Sequence, residues 1–221
     1  MKLELVSVSY RYPGQQEYAL KEVNAVFEGG KTYLITGPNG AGKTTLLLVA
    51  AGLLKPEEGY VTLDGIRLDE HTRDLRRFFG VLFQNPDVML FNPTVYDEIT
   101  YSIKQIEKNE GLIAQKVEEL LKFFELNKDI LTKPVYTLSY GFKKIIALIS
   151  ILIYDPKILL LDEPHTNLSK KFVKKVAEVI QTKKECGGIT IVSSHNRRVY
   201  EGLTDCVIYI VNGRIVKKTC K

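Results

Sequence analysis

The segment at residues 37–45 has the glycine and lysine spacing of a phosphate-binding loop. It reads Gly-Pro-Asn-Gly-Ala-Gly-Lys-Thr-Thr and lies between a strand-like apolar run at residues 32–36 and a helix-like apolar run at residues 46–49. In that context, successive backbone N–H groups curl around phosphates, and the positive end of a helix dipole faces them. The predicted nucleotide-binding residues are Gly37, Pro38, Asn39, Gly40, Ala41, Gly42, Lys43, Thr44 and Thr45.

Two residues of this loop have distinct chemical roles. We expect Lys43 to contact the β- and γ-phosphates of a nucleoside triphosphate and so to take part in catalysis. The hydroxyl of Thr44 supplies an oxygen ligand for Mg²⁺, which prefers oxygen donors and keeps several waters. The loop therefore predicts binding of a triphosphate together with Mg²⁺.

A second candidate cluster follows an apolar run at residues 158–161, which ends in Asp162 and Glu163. Ligands of open α/β sheets collect at the carboxyl ends of the strands. We expect Asp162 to hold the water shell of Mg²⁺ and Glu163 to act as the general base for an attacking water. Such a pair of acids is common by itself. Its occurrence together with the phosphate-binding loop is what indicates a catalytic role.

Two further polar residues also follow strand-like runs. His195 comes after residues 189–194, so its imidazole can reach the same sheet edge and hydrogen-bond a γ-phosphate. Gln84 comes after residues 80–83, and its carbonyl oxygen can ligate Mg²⁺ and sense the γ-phosphate. A lone histidine at a strand end is more often a surface residue, and a lone glutamine is usually an ordinary polar one.

The order of apolar segments predicts an α/β fold with a mainly parallel sheet covered by helices. Residues 1–30 alternate short strand-like pieces with turns, which indicates N-terminal antiparallel β-strands. Residues 86–144 have helical periodicity, and we interpret them as an inserted α-helical subdomain. We expect a single domain over residues 1–221, with its core formed by residues 1–85 and 145–221.

Charge and apolar content narrow the possible partners. The net charge is +5, but the basic residues are spread along the chain, and the lysines of residues 170–175 lie opposite an apolar helical stripe. We therefore expect no nucleic-acid partner. The longest apolar run, residues 145–154, is shorter than the roughly 20 residues that cross a bilayer. We expect a soluble chain without a membrane span of its own, and any membrane role to come through a partner.

The cysteines do not indicate a metal site or a disulfide scaffold. There are 3 of them, an odd number, and they lack metal-ligand spacing. We expect a reduced chain from an intracellular compartment, where glutathione and thioredoxin keep thiols reduced.

The segment Leu-Ser-Tyr-Gly-Phe at residues 138–142 resembles the Leu-Ser-Gly-Gly-Gln signature of ATP-binding cassette (ABC) ATPases. With it, the phosphate-binding loop, Gln84, the Asp162-Glu163 pair and His195 occur in the order of that family. The resemblance covers nearly the whole chain. It implies a P-loop NTPase core of the RecA-like type that binds ATP with Mg²⁺ and hydrolyses ATP.

In this family two cassettes enclose two ATP molecules, and each site joins one chain's phosphate-binding loop to the other chain's signature. The resemblance implies that Ser139, Tyr140 and Gly141 contact the ATP of a second ABC ATPase chain. It also implies that Tyr12 stacks on the adenine ring, with Tyr10 as the competing candidate.

Residues 79–99 resemble a more specific group, the energy-coupling factor transporters and the related cobalt and nickel importers. They include Phe-Gln-Asn-Pro-Asp, then Leu-Phe, then Thr-Val and paired acids. The resemblance implies a transmembrane coupling subunit and a substrate-binding membrane subunit as partners, and import of a small nutrient such as a vitamin or metal ion. It implies a cytoplasmic location, peripheral on the inner face of the membrane. Alternatively, the apolar residues of this segment only pack the helical subdomain.

Three residues depart from the family pattern. Tyr140 replaces the first signature glycine, Phe142 replaces the signature glutamine, and Ser169 replaces an aspartate. The phosphate-binding loop, Glu163 and His195 remain regular, so we expect a heterodimer with a different cassette. Two alternatives are a soluble ABC ATPase that does not act in transport and a weakly hydrolysing regulatory subunit.

Overall fold

The computed structural model describes the backbone of all 221 residues and the side chains of all except residues 70–73. The chain forms two compact units. The first comprises residues 1–81, 157–163 and 179–221, and the second comprises residues 82–156 and 164–178. The division predicted from the sequence, with a helical subdomain at residues 86–144, stays a prediction.

The first unit contains a four-stranded sheet with the strand order β2-β1-β4-β5. Its strands are β1 Lys2–Tyr10, β2 Leu20–Glu28, β4 Glu58–Leu63 and β5 Ile66–Arg67. β1 pairs antiparallel with β2, as predicted for the N-terminal residues, and it also pairs antiparallel with β4. Asp64 and Gly65 both have positive φ, at 49° and 82°, which suits the tight turn between β4 and β5.

A six-stranded sheet has the order β10-β9-β3-β8-β7-β6. Its strands are β3 Lys31–Thr36, β6 Phe79–Leu82, β7 Ile158–Asp162, β8 Ile189–Ser193, β9 Cys206–Val211 and β10 Arg214–Cys220. β3 runs parallel to β8 and β9, and β7 runs parallel to β8. β7 and β8 are buried along their whole length, as is typical of parallel strands covered on both faces.

The six α-helices are α1 Lys43–Ala50, α2 Leu68–Leu75, α3 Val95–Tyr101, α4 Glu110–Phe124, α5 Tyr140–Leu152 and α6 Lys170–Glu185. Short 3₁₀ helices lie at Arg76–Phe78, Pro86–Val88, Ile103–Gln105, Lys128–Thr132, Val135–Thr137 and Arg197–Tyr200. In the first unit, one core joins side chains of both sheets and of α1. In the second unit, α3 packs against α4 and α5. Within the described residues, no helix combines the length and apolar character needed to cross a membrane.

The expectation of reduced cysteines is wrong for two of the three. Cys206 and Cys220 form a disulfide, whereas Cys186 is free and exposed. The register of the antiparallel pair β9 and β10 sets Cys206 directly opposite Cys220. Residue spacing alone does not reveal such a cross-strand pair, because it depends on where the hairpin turns.

Replacing Cys220 with Ser should lower the free energy of unfolding by about 2 to 3 kcal/mol, because the broken link returns conformational entropy to the unfolded chain. Cys220 is the exposed partner, so the new hydroxyl is not buried. Urea unfolding without reductant measures the change, and Cys186→Ser is the matched control. Equal stability of the two variants would contradict a stabilising link.

Candidate functional site

The predicted phosphate-binding loop connects the end of β3 at Thr36 to the start of α1 at Lys43. Gly42 precedes the helix with φ at 102°, a conformation that other residues rarely adopt. A Cβ at this position would lie 2.5 Å from the carbonyl oxygen of Ala19. The loop shape therefore requires glycine here for both reasons.

The loop presents unused hydrogen-bond donors. In the part of the chain that the structure describes, the backbone N–H groups of Gly42, Lys43 and Thr44 have no acceptor. They lie at the N-terminal end of α1, where the helix dipole adds partial positive charge. This arrangement favours a phosphate group as the acceptor.

The ammonium of Lys43 adds a full positive charge to the same loop. Its Nζ donates to the carbonyl oxygens of Gly37 at 3.0 Å and Pro38 at 2.9 Å. The side chain thus lies back across its own loop, and its charge is held beside the free N–H groups.

The two predicted magnesium ligands of the first unit are hydrogen-bonded to each other. The hydroxyl of Thr44 donates to Oδ2 of Asp162 at 2.7 Å, and Ser193 donates to Oδ1. Asp162 is buried, and the β7–β8 register pairs it with Ser193.

A hydroxyl and a carboxylate are oxygen donors that suit Mg²⁺. The described residues contain no group of three or more His, Cys, Asp and Glu side chains that could hold a metal. Mg²⁺ commonly takes one or two protein ligands and completes its shell with phosphate oxygens and water.

Glu163 and His195 are brought together at the ends of β7 and β8. Nδ1 of His195 lies 2.6 Å from Oε1 of Glu163, and the His195 backbone N–H donates to the same oxygen at 2.9 Å. Ser194 donates to the other carboxylate oxygen at 3.2 Å. The carboxylate is buried, whereas the imidazole is largely exposed. These bonds fix the orientation of the carboxylate.

The backbone at Glu163 is itself unusual. Its φ is 45°, in the left-handed region that costs a residue with a side chain free energy and recurs at functional sites. Its N–H donates to the carbonyl oxygen of Ser193 at 3.0 Å, which anchors the turn to β8.

Of the two candidates for adenine stacking, Tyr12 has the more accessible ring. Tyr12 is 38% exposed, whereas Tyr10 is 7% exposed and belongs to the core. The hydroxyl of Tyr12 lies 3.2 Å from Oγ1 of Thr45, the last residue of the predicted loop. The geometry favours Tyr12, as the sequence did.

The remaining predicted residues belong to the second unit. Gln84 follows β6 and is exposed, and Tyr140 is the first residue of α5, directly after Ser139. Gly141 faces the backbone of Asn167, since a Cβ there would lie 2.8 Å from the Asn167 carbonyl oxygen. This close approach explains why position 141 is a glycine.

The sequence reasoning missed the residues that support the acids. Ser193 and Ser194 bond to Asp162 and Glu163, and a Ser-Ser pair at a strand end before His195 was the available indication. In the second unit, Lys144 is buried and its Nζ contacts Thr166 at 2.8 Å. A lysine within a helical apolar run was the corresponding indication there.

Comparison with known proteins points to one family. A family model described as ABC transporter matches residues 20–166. An Archaeoglobus fulgidus protein named as an ABC transporter ATP-binding protein is 39% identical over 92% of this chain and 84% of its own length. The energy-coupling factor transporter ATP-binding protein EcfA1 of Thermotoga maritima is 36% identical over 97% of this chain and 80% of its own length.

Two solved structures agree with this. CbiO1 of Clostridium perfringens, described as part of the ABC transporter complex cbiONQ, superposes with a TM-score of 0.81 at 30% identity, covering 99% of this chain and 88% of that one. The dimeric cassette MJ0796 bound to ADP and Pi has a TM-score of 0.86 at 26% identity, covering 99% of this chain and 98% of that one. The predicted fold class and the family resemblance are both confirmed.

Proposed function

Because the chain belongs to the ABC transporter ATP-binding family, we propose that it is the ATPase subunit of an energy-coupling factor type importer. It binds ATP with Mg²⁺, closes on a second cassette, and drives import of a small nutrient such as a vitamin or metal ion. The observation that carries this proposal is the convergence of Lys43, the Thr44–Asp162 pair and the Glu163–His195 pair at the carboxyl ends of β3, β7 and β8.

The phosphate-binding loop holds the triphosphate. The free N–H groups of residues 42–44 donate to its oxygens, and Lys43 exchanges its two carbonyl contacts for the β- and γ-phosphates. Thr44 and Asp162 hold Mg²⁺, and the ion, when bound, neutralises charge on the phosphates. Gln84 remains a predicted additional ligand of the ion. Tyr12 stacks its exposed ring on the adenine.

Glu163 acts as the general base. Its carboxylate takes a proton from the attacking water as the oxygen of that water approaches the γ-phosphorus. His195 orients this carboxylate through Nδ1 and its backbone N–H, and its exposed imidazole is available to hydrogen-bond the γ-phosphate. The bond between the γ-phosphorus and the oxygen that bridges it to the β-phosphate breaks, and the products are ADP and inorganic phosphate.

Replacing Glu163 with Gln keeps the shape of the side chain and removes the base. We expect ATP hydrolysis to fall roughly 10² to 10⁴-fold while ATP affinity stays nearly unchanged. Steady-state hydrolysis and equilibrium nucleotide binding measure the two effects. Glu119→Gln, at an exposed position on α4, is the charge-matched control. Turnover within about threefold of the unaltered chain would remove Glu163 from the role of base.

Exposed apolar and aromatic side chains between residues 88 and 106 of the second unit support a membrane partner. They are Val88, Phe91, Tyr101 and Ile106, and the rings of Phe91 and Tyr101 meet edge to face at 4.9 Å. Buried Glu98 accepts from the N–H of Phe91 at 3.0 Å and from the N–H of Asn92 at 2.8 Å. These two hydrogen bonds fix the turn that presents Phe91, as a docking surface requires.

We propose that these side chains contact the transmembrane coupling subunit, which works with a substrate-binding membrane subunit. Aromatic side chains that become buried in an interface often dominate its binding energy. Phe91→Ala should therefore reduce recovery of a polytopic membrane protein in detergent copurification by about 10-fold or more. The control is Leu112→Ala, at a 46% exposed residue on α4, against 67% exposure for Phe91. Absence of any polytopic partner would instead favour the soluble, non-transport class of ABC ATPase.

The second cassette is proposed to be a different chain. Tyr140, Phe142 and Ser169 depart from the family pattern on the surface that a cassette offers to its partner's nucleotide, while the chain's own loop and acids are regular. One regular site and one slow site follow from this asymmetry. The weakly hydrolysing regulatory subunit remains the second candidate because of Tyr140. In either case, the chain is proposed to lie on the cytoplasmic face of the membrane through its partners, without contacting nucleic acid.

A further inference from the structure

The first turn of α5 is bonded to the segment that begins at Gln84. The hydroxyl of Tyr140 donates to the backbone carbonyl oxygen of Gln84 at 2.9 Å. One turn later, Nζ of Lys143 lies 2.7 Å from Oδ1 of Asp87. Each bond joins residues that are 56 positions apart in the chain. We call these four residues the Tyr140 clamp.

The clamped segment has local order of its own. Asn85 caps the 3₁₀ helix Pro86–Val88 by accepting from the N–H of Asp87 at 3.0 Å. The N–H groups of Met89 and Leu90 donate to the Pro86 carbonyl oxygen at 3.0 Å and 3.2 Å. A bond to Gln84 or Asp87 therefore restrains a short ordered element.

The Tyr140 ring is held in place. The ammonium of Lys144 lies 5.6 Å from the ring centroid, within the range of a cation–π contact. Burial raises the pKa of the Tyr140 phenol, and the negative charge of Asp87 raises it further, so the hydroxyl keeps its proton as a donor. The side chain that replaces a signature glycine therefore makes its hydrogen bond and its cation–π contact within its own chain.

The same helix turn is also joined to the segment that follows Glu163. Lys144 contacts Oγ1 of Thr166 at 2.8 Å, and the Asn167 carbonyl fits closely over Gly141. Residues 140–144 therefore lie between two loops of the second unit and bond to both.

The geometry points to Tyr140 as a positioning residue that links the signature segment to Gln84. With Lys143 and Asp87, it makes the first turn of α5 and residues 84–87 move as one body. A signature glycine has no side chain with which to make this link. The consequence for catalysis rests on the proposed function, in which Gln84 is a predicted ligand of the magnesium ion: a change at Gln84 moves the signature that this chain offers to its partner's nucleotide.

Hydrogen exchange tests the clamp without reference to catalysis. Tyr140→Phe removes only the hydroxyl, and exchange of the Asp87, Met89 and Leu90 amides should become about 2- to 10-fold faster, as expected for one lost hydrogen bond. Tyr136→Phe, at a 79% exposed tyrosine before the signature, is the matched control. Lys143→Met removes the ion pair with Asp87 and should also accelerate exchange of these amides. If Tyr140→Phe and Tyr136→Phe exchange at the same rate, the clamp is refuted.

A kinetic measurement then tests the positioning role. With a second cassette present, Glu163→Gln in this chain silences its own site, so that the remaining turnover reports the site that this chain's signature completes. In that background, Tyr140→Phe should lower kcat about 2- to 10-fold and leave KM for ATP within about twofold, because the partner's phosphate-binding loop is unaltered. An unchanged kcat together with faster exchange would refute the positioning role. If the unaltered chain does not hydrolyse ATP with any cassette, the proposed function fails, and the exchange experiment still decides whether the clamp exists.

Discussion

The hydrogen bond between Thr44 and Asp162 joins the two parts of the chain on which the site depends. Thr44 lies at the start of α1, and Asp162 ends a buried strand more than a hundred residues later. They meet because β3 and β7 both run parallel to β8, so their carboxyl ends reach the same edge of the sheet. A slip of one residue in the β7–β8 register would turn Asp162 to the other face and remove Ser193 from it.

The site balances opposite charges at short range. Lys43, the helix end and the free N–H groups attract phosphate, while Asp162 and Glu163 are buried acids that need compensation. Ser193, Ser194 and the His195 backbone satisfy these carboxylates before any ligand binds. Oriented acids beside a cationic loop need little rearrangement when charge develops in the reaction, which is how electrostatic stabilisation becomes effective.

The sequence predicted the segments whose information is local. The phosphate-binding loop, β7 with its two acids, and the hairpin at Asp64-Gly65 follow from periodicity and turn residues, and the fold class is confirmed. Pairings that depend on register could not be read in the same way. The Cys206–Cys220 link and the contacts of Ser193 needed the strand alignment.

Tyr140 illustrates a further limit of sequence reasoning. The sequence marked it as a departure from the signature, and its bond to Gln84 depends on how α5 packs on the 3₁₀ helix Pro86–Val88. A residue's type indicates what it can bond to, and the fold determines which partner it meets. The assignments of individual residues to nucleotide and magnesium remain proposals that rest on this geometry.

We propose that this chain supplies half of an ATPase site and that a different chain completes it. Steady-state hydrolysis of Mg-ATP across a concentration series of the purified chain, alone and with a second cassette that has a regular signature, tests this directly. We expect slow turnover of the chain alone at every concentration, and a rate per chain that rises to a plateau as the second cassette is added. Full activity of the chain alone, with a rate that grows as the square of its concentration, would contradict it by demonstrating a working homodimer.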